Sequence, residues 1–177
     1  IIVACGLTIV MIGGGIDISV GGVTALVVMS CIVHMNNGGS IFSAALLAIG
    51  IGLGFGLVHG FLISYLEIQP FIITLAGMFF ARGMTTIVNS TPFNVENEAF
   101  VAMKNTRIVV PYMGSVNKLG KYVDAYIQIG VVVALLVVLI FFCVLRWTKL
   151  GRAFYAVGGN AQSALMLGID VKKTKFL

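Results

Sequence analysis

Two ionisable residues stand where charge is costly. Asp17 lies in the run Gly13-Gly14-Gly15-Ile16-Asp17-Ile18-Ser19-Val20-Gly21-Gly22, and Arg82 follows the apolar stretch that starts at Phe71. A carboxylate or guanidinium at membrane depth needs an opposite charge, carbonyl groups or water, so such residues mark a pathway or a partner. Glycine-broken backbone near hydrocarbon survives only where protein or a water-filled cavity satisfies it. Two readings of Asp17 stand with equal weight: it faces a pathway, or it caps the helix that follows an interfacial turn. Arg82 is ~17 Å from Phe71 along a helix rising 1.5 Å per residue, near the bilayer middle. If the glycine break lies at that depth, Asp17 is its natural partner. His59 sits in a glycine-rich segment, where a hydrogen-bonded packing role outweighs a proton relay. Glu96 and Glu98 fall in a polar stretch and read as solvated charges rather than an acid–base pair.

Other chemistry is lacking. Cys5, Cys31 and Cys143 lie singly in apolar runs, with no CxxC spacing, and read as small apolar residues rather than ligands or disulfides. No HExxH, GxSxG or P-loop is present, so neither a metal site nor a catalytic constellation is expected. GxGxxG fails in the segment of Gly50, Gly52, Gly54, Gly56 and Gly60, because the third glycine position holds Phe55 or His59. Asn89-Ser90-Thr91 matches a glycosylation sequon, a motif short enough to arise by chance.

The elements that must position these residues are apolar helices. Residues 129–145, IGVVVALLVVLIFFCVL, carry no charged side chain, and RWTKLGR follows directly. About twenty such residues span a bilayer. The cluster Arg146, Lys149, Arg152, Lys172, Lys173 and Lys175 marks the cytoplasmic side, because basic loops resist translocation. The pattern predicts an all-α, polytopic transmembrane bundle with about five membrane segments: 1–12, 20–33, 41–65, 71–88 and 125–145. The first is expected to be incomplete, in an internal portion of a longer protein. Pro70 suits the first turn of the fourth segment. Counting back from the basic end puts residues 91–124 outside, with a short helix over 95–103. Residues 67–70 are then inside and 34–40 outside. The first segment starts outside if residues 13–22 are a full turn, and inside if they break a single span. Gly52, Gly56 and Gly60 recur every fourth residue and form a stripe that lets another backbone approach. Residues 151–168 read as an amphipathic extramembrane segment, with Asn160 capping a short helix and Gly168 ending it.

Composition excludes the main alternatives. The chain of 177 residues is 59% hydrophobic and 10% charged, against roughly 25% charged in soluble domains. Its mean hydropathy is +1.09. The net charge of +5 is the footprint of membrane topology rather than of nucleic-acid binding, since the cations gather beside one apolar span.

Three segments carry a resemblance. Residues 14–21 (GGIDISVG), 70–83 (PFIITLAGMFFARG) and 151–160 (GRAFYAVGGN) resemble, in order and over nearly the whole chain, the ribose/galactose-type permeases of bacterial ABC sugar importers, galactofuranose-type permeases most of all. The resemblance implies a multi-pass permease domain over 1–177 in the bacterial inner membrane, with an external (periplasmic) loop at 91–124 and a cytoplasmic coupling loop at 146–175. Its partners would be membrane lipid, a second permease subunit (identical or different), a cytoplasmic ABC ATPase that binds the ATP and Mg²⁺, and a periplasmic sugar-binding protein. The chain itself would bind no cofactor and catalyse nothing. Asp17, Ser19, Thr74, Gly77 and Arg82 would lie near the translocation route. Gly151, Arg152, Tyr155, Ala156, Gly158, Gly159, Asn160, Ala164, Gly168 and Ile169 would belong to the segment that couples to the ATPase. Two alternatives remain: a branched-chain amino-acid-type ABC permease, and a secondary transporter or channel without an ATPase.

Overall fold

The structure is a computed structural model that describes residues 1–91, 94–97, 100–102, 107–116 and 122–177. The chain begins with four helices, α1 (Ile2–Ile12), α2 (Val20–Asn36), α3 (Ile41–Ser64) and α4 (Pro70–Val88). Strands β1 (Arg107–Val116) and β2 (Tyr122–Gln128) follow, then α5 (Ile129–Trp147), α6 (Lys149–Gly159), α7 (Ala161–Met166) and α8 (Val171–Phe176). Helices α3, α4 and α5, of 24, 19 and 19 residues, are long and apolar enough to cross a membrane, while α1 and α2 are shorter. Their flanks carry exposed Phe42, Leu135 and Phe142, as lipid-facing side chains must be.

Local chemistry sets the ends. Ser40 caps α3 by accepting from the Ser43 amide at 3.2 Å, and Pro70 opens α4, where its missing N–H costs nothing. Thr148 accepts from the Gly151 amide at the start of α6. Asn160 does the same for α7 through Ser163, as does Asp170 for α8 through Lys173. Each side-chain oxygen satisfies a helix N–H that has no partner within its own helix. Asn160 thus caps a short helix as its position in the sequence suggests, and separates it from α6.

Helices α2 and α4 run side by side in the same direction. The main chain of Gly22 faces Met78, and Asn36, at the far end of α2, holds residues beyond α4. Its Nδ2 donates to the Asn94 carbonyl at 2.9 Å and its Oδ1 accepts from the Glu96 amide at 3.0 Å. Helix α3 returns antiparallel along α2, with Cys31 Sγ donating to the Ala44 carbonyl and His34 Nε2 bonded to Ser43 Oγ. Helix α1 packs on α5 and α6.

The polar stretch differs from expectation. Of the helix expected over 95–103, residues 100–102 are helical and 95–97 are not, while Glu98, Ala99 and Met103 lie outside the described residues. Further on, β1 and β2 form an antiparallel hairpin, Arg107 opposite Gln128 and Val110 opposite Ala125, with an irregularity between Val110 and Gly114. Residues 125–128 thus belong to a strand, and the last long helix begins at Ile129 rather than Ala125. A two-stranded ribbon has open edges that hydrocarbon does not tolerate, so it lies beyond the apolar layer. It leads into the end of α5 opposite the basic cluster.

At the basic end, the loop after α3 meets α8. Lys172 Nζ lies 2.8 Å from Glu67 Oε1. The hydrogen bond from Lys172 and then its charge hold the Glu67 carboxyl below its ordinary pKa, and raise that of Lys172.

Candidate functional site

A cavity of about 630 Å³ opens among α1, α2 and α3, and the glycine break forms one side of its wall. Asp17, Ser19, Thr24, His59, Thr74, Thr174 and Lys175 bring polar groups to an otherwise apolar lining. Phe154 and Val157 of α6 and Thr174 and Phe176 of α8 line its basic end.

Asp17, Ser19 and Thr74 are fixed by their own segments. Asp17 Oδ1 accepts from the Ser19 amide at 2.8 Å and the Ser19 hydroxyl at 2.7 Å. Ser19 is the residue before α2 and is 2% exposed. Asp17 therefore secures the turn just ahead of the helix, and it is also in the cavity wall. Ser19 rather than Asp17 stands at the N-cap of α2, so Asp17 braces the turn instead of capping the helix. Thr74 is 1% exposed, and its hydroxyl donates to the Pro70 carbonyl one turn back at 2.9 Å. The imidazole of His59 lies over Gly77, where a methyl would collide with it, and meets Phe55 edge-on with centroids 5.7 Å apart. The ring packs as the sequence reading expects but without the hydrogen bond that reading attached to it among the described residues, and it also faces the cavity.

Arg82 stands apart. It is exposed on α4 and makes no ion pair with Asp17. The reason is register: Gly22 is level with Met78 and Ala81, so Asp17, five residues earlier, lies toward the basic end while Arg82 lies beyond that level. The break is not at the depth of Arg82, and the pairing expected from sequence does not form.

The glycine stripe is only partly occupied. A Cβ on Gly60 would stand 3.1 Å from the Phe176 carbonyl of α8, while Gly52 and Gly56 have no heavy atom within 4 Å of that position and face the cavity.

The segment at 151–169 divides by exposure. Arg152, Tyr155, Gly159, Asn160 and Gly168 are exposed, Ala156, Gly158 and Ile169 are half-buried, and Gly151 and Ala164 are buried. Gly151 lies on the main chain of Leu145, which leaves no room for a side chain in the α5–α6 turn. Sequence reasoning did not single out Leu165, Met166 and Leu167, which are 62%, 83% and 78% exposed. Three adjacent apolar residues on a short helix outside the long spans are a signal that was there to read.

A bundle of lipid-exposed apolar helices around a partly polar cavity, with short capped helices at its basic end, is the architecture of a multi-pass membrane permease. The chain belongs to the family described as branched-chain amino acid transport system / permease component, which matches residues 1–177. It is similar to the fructose import permease protein FruG of Bifidobacterium longum (strain NCC 2705), at 33% identity over 100% of this chain and 51% of that protein. It is also similar to two proteins of Escherichia coli (strain K12). The inner membrane ABC transporter permease protein YjfF is 35% identical over 98% of this chain and 49% of its own length. The ribose import permease protein RbsC is 32% identical over 99% and 51%. The chain spans about half the length of these curated relatives. No solved structure matches it.

Proposed function

We propose that this chain belongs to the membrane permease subunit of an ATP-driven ABC importer for a monosaccharide, working in the bacterial inner membrane. The observation that carries the reading is the exposed apolar patch of Leu165, Met166 and Leu167 on capped helix α7, beside the basic cluster. Apolar groups outside the bilayer and clustered on a rigid helix suit a protein partner. A cytoplasmic ATPase, which would bind ATP and Mg²⁺ itself, is that partner. The basic residues favour a cytoplasmic position for 146–175 and an external one for 91–124. In that orientation, Ile1 starts outside and residues 13–19 turn near the inner side. A second permease subunit would complete the pathway, and a periplasmic sugar-binding protein would deliver the cargo. Asp17, Ser19 and Thr74 would line the route, with Gly77 seating His59 beside it, while the exposed Arg82 would serve it from the flank of α4. The names of the fructose and ribose permeases support a sugar; the family's description favours a branched-chain amino acid as the second reading.

The test uses the full-length protein in membranes, native or with residues 155–167 replaced by a neutral linker. Capture of an ATPase subunit by the native form alone, with both forms inserted, supports the reading. A properly inserted native protein that captures no ATPase favours a channel or secondary transporter. Uptake of labelled fructose, ribose and galactose against leucine, isoleucine and valine separates the two cargo classes.

A further inference from the structure

The end of α6 and the glycine break meet backbone to backbone. The main chain of Gly158 lies on the carbonyl of Ile12, the last residue of α1, so closely that a methyl on Gly158 would collide with that oxygen. On the other side of the break, Gly14 adopts φ +78°, and its Cβ position is 3.7 Å from Gly158 Cα. That backbone conformation is open to glycine at little cost. The same helix sends Phe154 and Val157 into the wall of the cavity that Asp17 and Ser19 also line, and Val157 is 3% exposed. Past the break, two hydrogen bonds hold Asp17 to Ser19 at the start of α2. Between Gly158 and the break there is no side chain to absorb a displacement, and close-packed groups pass strain on rather than yielding. At this same end, α6 runs through Asn160 directly into α7.

Resting on the importer reading above, we propose that the contact of Gly158 with Ile12 and Gly14 is the transmission point of the permease. A shift of α6 and α7 imposed by the ATPase moves the 13–19 turn, and with it Asp17, at the basic end of the cavity. Gly158 is then a positioning residue packed against the main chain of the break. It acts through the glycine break rather than by touching the ATPase.

The test uses the full-length permease with its ATPase and binding protein in proteoliposomes. Gly158→Ala forces α6 off the break while leaving the α7 patch intact. The expected result is a complex that still assembles, in which the ratio of hydrolysis with the loaded binding protein to hydrolysis without it falls about tenfold, within the usual range of coupling between sites. Gly6→Ala, on open space in α1, should leave stimulation unchanged. Full stimulation in a folded Gly158→Ala complex overturns the proposal. Native protein that captures no ATPase overturns the importer reading instead, and the transmission role with it. A second measurement covers a variant that does not fold. Spin labels replace Ile16, Lys149 and Tyr65 in pairs, with the native cysteines changed to alanine. Between nucleotide-free and ATP-bound states, the 16–149 distance should hold within about 2 Å while the 16–65 distance changes by about 5 Å, the scale of a one-turn helix ratchet. A 16–149 distance that changes as much as 16–65, or a 16–65 distance that does not change, overturns the proposal.

Discussion

Gly22 of α2 faces the main chain of Met78 in α4, and a methyl on Gly22 would lie 2.8 Å from the Met78 carbonyl oxygen. The obstacle is backbone, which cannot rotate aside. Gly22→Ala must therefore push apart helices that otherwise run together from this level to the Asn36–Asn94 hydrogen bond. We expect a loss of about 1–3 kcal/mol, the usual cost of overpacking, seen as a lower unfolding midpoint in detergent. An unchanged midpoint would mean that the two helices do not touch here.

Gly77 offers the contrasting case. A methyl there meets the ring of His59, the end of a side chain with two rotatable bonds. Gly77→Ala should cost less than Gly22→Ala, and the cost should shrink further in a His59→Ala background. A double-mutant cycle isolates that coupling. Additivity of the two changes would show that the ring is not what Gly77 accommodates.

The hydrogen bonds of Asp17 and its charge separate by substitution. Asn keeps an oxygen that can accept from the Ser19 amide and hydroxyl but carries no charge. Asp17→Asn should keep stability within about 0.5 kcal/mol, whereas Asp17→Ala should lose about 1 kcal/mol, the scale of a lost capping acceptor. If the charge matters to passage, both variants should slow uptake in full-length protein by similar factors despite their different stabilities. Equal stabilities would show that the hydrogen bonds do not hold the turn.

The sequence made the apolar spans and several caps legible because those signals are local. Pro70, Asn160 and Gly168 act within one turn of where they stand, and the structure uses Asn160 and Gly168 (φ +80°) as their types suggest. The hairpin was not legible. Pro111 interrupts β1, and residues 125–128 are apolar enough to read as the start of α5. The site was only partly legible. Asp17 announced itself as a charge among glycines. That it lies toward the basic end, away from Arg82, depends on the register of α2 against α4, which no local pattern encodes. The same holds for Gly158, whose partner Ile12 is distant along the chain.

The Glu67–Lys172 ion pair ties the loop after α3 to α8, and its pH dependence has a definite sign. Glu67 has its folded pKa lowered, by the Lys172 hydrogen bond first and its charge second. Its contribution to stability is therefore present above the ordinary glutamate pKa and is lost as pH falls through the folded value. Lys172 has its pKa raised, so its contribution is complete below the ordinary lysine pKa and is lost as pH rises through the folded value. Both side chains are largely exposed, so the effect is small and sensitive to salt. Glu67 also sits at φ +57°, an unusual conformation for a residue with a side chain. Glu67→Gln should retain that strain and lose the pair. Its unfolding midpoint should fall slightly below that of the native chain near neutral pH in low salt. The two should converge on acidification below the carboxylate range and also in molar salt. A gap that persists under both conditions would mean that Glu67 acts through its hydrogen bonds or backbone rather than its charge.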